Sequence, residues 1–359
     1  MSFRSFLCTV SVCVLAACSG QSSPPASTSN DTNTPQSTPP VSAGELNLYS
    51  SRHYDTDERL YSNFTAQTGI EINRIEAGAD ALIERIKSEG EFSPADILIT
   101  VDAGRLWRAE EAGIFAPLSS EVLTDNVPAH LRHPDGLWYG MSKRARVIIY
   151  NKAAGKPDNL ETYEDLARAD HKGKICIRSS SNIYNISLMA SIVSRQGPEK
   201  AQDWAENVVS NFARDPQSND TGQIEAVASG ACGIAVVNTY YLARLKASDD
   251  PERRAIGDKV GVIFPNQGET GTHVNISGAG LVKHAPNRDN AVRFLEYLTE
   301  QQSQSYFANG NHEYPVVANV DTGSALRTLG AFQEDEINAS ELGKNQSEAV
   351  RVFDRAGWK

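Results

Sequence analysis

Two hydrophobic periods alternate along most of this chain. From residue 46 onward, short runs of consecutive apolar residues give way to stretches in which apolar positions recur every three or four residues. LNLYS (46–50) predicts a strand, and DERLYSNFTAQTG (57–69) predicts a helix closed by Gly69. IEINRIEA (70–77) predicts a second strand; ADALIERIKSEG (79–90) predicts an amphipathic helix with Leu82, Ile83 and Ile86 on one side. ADILIT (95–100) reads as a third, buried strand, and DAGRLWRAEEAG (102–113) as the next helix. Strands alternating with helices of this length imply a parallel sheet covered on both faces.

The period changes at LWYGMSKRARVIIY (137–150), a long strand-like run suited to crossing between two lobes. A second αβ series follows: KICIRS (174–179), a helix near 184–195, PEKAQDWAENVVSNFA (198–213), TGQIEAVASG (221–230) and CGIAVV (232–237). VGVIF (260–264) and HVNISGAGLVKH (273–284) add strands, the latter long and glycine-bearing enough to be a return crossing. DNAVRFLEYLTEQQSQSYFA (289–308) predicts one helix, and QSEAVRVFDRAG (346–357) another. Two α/β lobes with two crossings suit a hinged binding protein whose ligand sits at the carboxyl ends of strands, in the cleft between lobes.

Composition narrows this picture. With 359 residues, 40% of them hydrophobic and 22% charged, the chain has the make-up of a globular protein long enough for two domains. A net charge of −11 argues against nucleic-acid binding and against a polybasic membrane patch. The start, MSFRSFLCTVSVCVLAACSG, combines Arg4, an apolar stretch too short to span a bilayer, and small residues. That describes an export leader over 1–18; LAAC (15–18) resembles the bacterial lipobox, in which Cys18 is lipidated, whereas a plain leader would be cut after another small residue. The Ser/Thr/Pro/Asn-rich run over 19–44 cannot bury a core and suits a flexible tether. With Cys8 and Cys13 removed and Cys18 lipidated, Cys176 and Cys232 remain, each beside a strand-like run. They are candidates to pair if the sheet brings them close.

The chemistry lies at strand ends. SRHY places Arg52, His53 and Tyr54 after the first strand; SSNIYN places Tyr184 after KICIRS; NTYY places Tyr240 and Tyr241 after CGIAVV. Four phenols and an imidazole form a hard-donor set, and phenolates suit a small, highly charged ion, above all Fe(III). A free phenol titrates at about 10, so each must lose a proton to bind, and a trivalent cation drives that loss. Four phenolates exceed a 3+ charge by one, and Arg52, Arg144 or Arg244 can balance it. Adjacent helical residues point about 100° apart, so Tyr240 and Tyr241 are expected to reach a metal from different directions, as a chelating pair rather than a stacked wall.

Other readings stand beside this one. A Tyr-Tyr pair also makes an aromatic wall for a sugar or peptide, and a polar cluster such as IRSSSN (177–182) can cradle an oxyanion or simply cap a helix. Tyr49, Tyr150, Tyr163, Tyr297 and Tyr306 read as packing residues, and His130, His133, His171, His273, His284 and His312 have no partner at ligand spacing. SGAG (277–280) reads as a glycine hinge. No dinucleotide, phosphate-loop, zinc-protease or nucleophile-elbow motif is present. The spacing alone leaves a metal site and an aromatic cleft both open.

Several long motifs carry a resemblance: LYSSRHYDTDERLYSNFTAQTGI, SPADILITVDAGRLWRAEEAGIF, KRARVIIYNK, CIRSSSNIYN, NFARDPQSNDTGQIEAVASG, NTYYLARL and THVNISGAG. From about residue 45 to the closing AGWK, the chain resembles the iron-binding component of bacterial iron ABC importers, of the cyanobacterial FutA/IdiA type. The resemblance implies a type II periplasmic binding fold: two α/β lobes, 45–141 with 278–313 and 142–277 with 314–359, joined by a two-strand hinge. It implies one bound Fe(III), with Fe(II) also accepted, held by His53, Tyr54, Tyr184, Tyr240 and Tyr241, with Arg144 and Arg244 near the metal. His53 is the ligand on which members differ. The implied protein is a periplasmic monomer tethered by lipid at Cys18, partnered by an ABC permease, without catalytic activity. The alternatives are a binding protein of the same fold for an anionic or polyamine-like solute, and an exported hydrolase.

Overall fold

A computed structural model describes residues 43–52 and 54–359. The leader, nearly all of the tether and the candidate ligand His53 lie outside the described residues. Nine strands run in chain order: β1 (Glu45–Ser50), β2 (Glu71–Glu76), β3 (Ile97–Val101), β4 (Tyr139–Asn151), β5 (Ile175–Cys176), β6 (Ile234–Asn238), β7 (Val260–Ile263), β8 (Val274–Leu281) and β9 (Tyr314–Pro315). β1 pairs parallel with β2 and β3, as βαβ units require. The 13-residue β4 then serves two half-sheets. Tyr139 to Ala145 pair antiparallel with β8, while Arg146 to Tyr150 pair with β6 and Ile148 to Asn151 with β7. β8 lies between β4 and β3 and so returns the chain to the first half-sheet. The two crossing runs of the sequence are therefore β4 and β8, side by side.

Burial follows the predicted periods. β3 and β6 are buried at every position, because helices cover both faces. β2 is an edge strand with no buried residue. In the helix Ala79–Glu89, Leu82, Ile83 and Ile86 are buried as their spacing requires. Phe64 packs edge-on to Phe294 at 4.9 Å, worth about 1 kcal/mol beyond the area removed from water. Tyr49, Tyr163 and Tyr297 are buried, in keeping with packing roles.

Two expectations change in detail, and one is met. The helix expected over 289–308 is two, Arg288–Tyr297 and Gln301–Gly310. Glu300 is extended between them, and the buried Gln304 side chain donates to the carbonyls of Leu298 (2.8 Å) and Met141 (2.8 Å). A long-range bond stops the first helix, where no Pro or Gly marks a break. SGAG is packed, not loose: a Cβ on Gly280 would lie 2.5 Å from the Leu137 carbonyl oxygen and 2.5 Å from the Phe115 ring. Its glycines let neighbouring layers approach. Finally, Cys176 and Cys232 form a disulfide with Cα atoms 5.9 Å apart, within the bridging range, because β5 pairs parallel with β6 (Cys176 opposite Ala235).

Candidate metal centre

Each candidate tyrosine follows the carboxyl end of a strand. Tyr54 lies between β1 and the helix Asp57–Thr68, where its carbonyl accepts from the Asp57 N–H at 2.9 Å. Tyr184 opens the helix Ile183–Gln196, whose N-cap Asn182 accepts from the Tyr184 N–H at 3.1 Å. Tyr240 and Tyr241 open the helix Thr239–Lys246. Its N-cap Asn238 makes no side-chain cap. Instead its Oδ1 accepts from Arg146 (3.0 Å), and its N–H donates to the Asp220 carboxylate (2.9 Å). This buried polar triangle replaces the small turn residue that usually ends a strand.

The strand ends bring the four phenols together. The Tyr240 hydroxyl donates to that of Tyr184 at 3.3 Å, although 56 residues separate them in sequence. Tyr54, Tyr184 and Tyr241 all bear on the Tyr240 phenol, each raising its pKa after the larger effect of burial. Burial comes first for Tyr184 too, then the Tyr241 charge; its phenol is pushed up to about 12, with Arg144 pulling the other way. For Tyr54 the upward push comes from burial and then from Glu313, opposed by Arg52, Arg144 and Arg244.

One expectation fails. The rings of Tyr240 and Tyr241 are stacked, with centroids 4.2 Å apart and planes 30° apart. Side chains in a first helical turn lean back towards the N-terminus, so two rings whose Cβ atoms diverge still lie on one another. The angular argument applied to the Cα–Cβ vectors and not to the phenol oxygens. Tyr240 is only 2% exposed, and Arg244 lies over its ring at 5.2 Å. With one neighbour stacked on it and a guanidinium over it, this ring is no open aromatic wall.

The arginines form a floor and a roof. Arg244 lies 4.9 Å from the Tyr54 ring centroid and Arg52 lies 4.7 Å from it. Arg52 is buried, with Nε 2.9 Å from Asp57 and Nη1 3.0 Å from Glu313. Arg144, also buried, reaches the other Glu313 oxygen at 3.0 Å, and both arginines donate to the Ser277 hydroxyl at 2.7 Å. Arg178, 5.2 Å from the Tyr184 ring, shares the Asp220 carboxylate (3.6 Å) with Arg146 (3.4 Å). Guanidiniums therefore outnumber carboxylates around the phenols.

Three of these groups, Glu313, Asp57 and Ser277, escape a reading of the sequence. Glu313 stands in NHEY, 261 residues beyond Arg52, with no local pattern to connect them. Asn311 of the same segment donates to Asp57 at 2.8 Å, so NHEY braces the loop that carries Tyr54. His312, between them, lies where burial and then Arg244 hold its pKa below the ordinary value. Among the other described histidines, His130 and His133 pair with Glu334 and Glu110, and His171 and His273 are buried. Among the described residues no cluster of three His, Cys, Asp or Glu side chains is placed to hold a metal, so the phenol oxygens are the donors on offer.

Burial opposes the charge on Glu313, but Arg52 and Arg144 outweigh it and hold the carboxyl at about 2. A depressed carboxyl stabilises the fold above its ordinary range and loses that contribution as pH falls towards the folded value. Unfolding followed by fluorescence between pH 4.5 and about 2 is expected to show progressive loss of stability. In E313Q that loss should be shallower; an identical profile would mean Glu313 does not contribute.

The family model for bacterial extracellular solute-binding proteins matches residues 92–329. Iron uptake protein A1 of Synechocystis sp. is 55% identical over 315 residues, which are 88% of each chain. A solved structure of Trichodesmium IdiA (FutA), in complex with iron and citrate ligands, superposes with a TM-score of 0.86 and 57% identity, covering 88% of this chain and 100% of that one. The ferric binding protein from Campylobacter jejuni gives a TM-score of 0.82 at 40% identity, with 88% and 100% covered.

Proposed function

This chain belongs to the bacterial extracellular solute-binding protein family, and we propose that within it the chain is the iron-binding component of an ABC importer. It has the type II periplasmic binding fold, and its similar proteins include an iron uptake protein and structures named for ferric binding or solved with iron. Iron is the cargo, taken up as Fe(III) in the periplasm and passed to a permease. Tyr54, Tyr184, Tyr240 and Tyr241 hold the ion; His53 is the candidate fifth ligand. The lobes are 45–141 with 278–313 and 142–277 with 314–359, and lipid at Cys18 tethers a monomer to the membrane. Nothing in this role requires catalysis.

One observation carries the reading: four phenols from three strand ends meet where guanidiniums outnumber carboxylates. As phenolates, the four would exceed the charge of Fe(III) by one, and the excess guanidinium charge offsets that negative charge. An aromatic cleft for an organic solute needs open ring faces, which Tyr240 lacks.

Burial raises Tyr54, Tyr184 and Tyr240, so these three phenols keep their protons near neutral pH in the unloaded site. Ferric loading then expels protons, about four per iron if every phenol ligates. Calorimetric titration in buffers of different ionisation enthalpy should count them, and apparent affinity should fall as pH falls. Loading without proton release would end the phenolate assignment.

A further inference from the structure

Below the phenols one carboxylate holds two buried guanidiniums. Glu313 has no exposed surface; one oxygen meets Arg52 at 3.0 Å and the other meets Arg144 at 3.0 Å. The Ser142 hydroxyl donates to it at 2.7 Å, fixing its plane. These three partners come from two parts of the fold: Arg52 from the loop carrying Tyr54, and Ser142 and Arg144 from β4, the strand common to both half-sheets. Arg52 lies under the Tyr54 ring, while Nε and Nη1 of Arg144 have no hydrogen-bond partner although buried. Such groups are retained where a further negative charge completes them.

We propose that Glu313 is a positioning residue for the iron site: by bridging Arg52 and Arg144 it fixes both guanidiniums beneath the phenols and sets the net charge the bound ion feels. This inference rests on the iron-binding reading above. Ionised Glu313 cancels one of the two guanidinium charges it bridges. Without it the surroundings gain one positive charge and favour the less charged Fe(II). Glu313 touches no phenol hydroxyl, so its effect runs through the two arginines.

The test is redox titration of the iron-loaded protein, which reports the ratio of ferric to ferrous affinity. In E313Q that ratio is expected to fall about tenfold, the size of one unit charge at roughly 10 Å and an effective dielectric of about 20. E313D keeps the charge but is one methylene too short for both arginines, and is expected between E313Q and wild type. Should E313Q not fold, E313D carries the test. A merely structural role would weaken both oxidation states in parallel. Parallel weakening, or an unchanged ratio in whichever variant folds, overturns the proposal. Wild-type protein that takes up no ferric iron overturns the functional reading and this inference with it. Wild-type protein that loads normally beside variants with an unchanged ratio overturns this inference alone.

Discussion

Replacing Tyr240 and Tyr241 together by phenylalanine is expected to weaken ferric binding by more than about 1000-fold, since losing a mere outer partner of a metal ligand costs about 10–100-fold. Phenolate-to-iron charge transfer colours such sites orange to purple, and the double variant should lose most of that absorption. Packing should survive. The Tyr240 ring is stacked on Tyr241 and capped by Arg244, contacts that phenylalanine largely keeps. Only the hydrogen bond from Tyr240 to Tyr184 is lost from the protein itself. Thermal midpoints of the iron-free proteins should therefore lie close together while metal titrations diverge. A double variant that keeps full colour would place the iron elsewhere.

The second large effect concerns the crosslink. Cys176 and Cys232, 56 residues apart in sequence, close a loop whose removal from the unfolded ensemble is worth about 4 kcal/mol on chain-entropy grounds. Denaturant unfolding of C176S/C232S should show a loss of about 2–5 kcal/mol, matched by adding a reductant to the wild type. The bridge also joins the strands that deliver Tyr184 and the Tyr240–Tyr241 pair, since β5 precedes the first and β6 the second. Iron affinity is therefore expected to drop with stability. A variant with unchanged unfolding midpoint would show that sheet pairing alone fixes these strands.

Much of this architecture is readable along the chain because it rests on local periodicity. The βα units of the first half-sheet, the long β4 and the glycine-bearing β8 appear in the hydrophobic pattern, since each element must bury one face. The tyrosines stand out because each follows a strand-like run, and in an open α/β sheet such positions collect at one edge. Break points set by distant partners do not appear: Gln304 divides one apparent helix through bonds to Leu298 and Met141. Side-chain direction is equally hidden, which is why Tyr240 and Tyr241 were expected to diverge and instead stack.

By itself the sequence determined most of the elements of the two half-sheets, which faces they bury, and that four phenols stand at strand ends. Those depend on residue spacing within a few turns of chain. Only the tertiary structure decided that Glu313 lies between Arg52 and Arg144, that Asn311 braces Asp57, and that Cys176 meets Cys232. The reason is physical: a buried charge must find its partner wherever the fold brings one within about 3 Å, and sequence separation sets no limit on that.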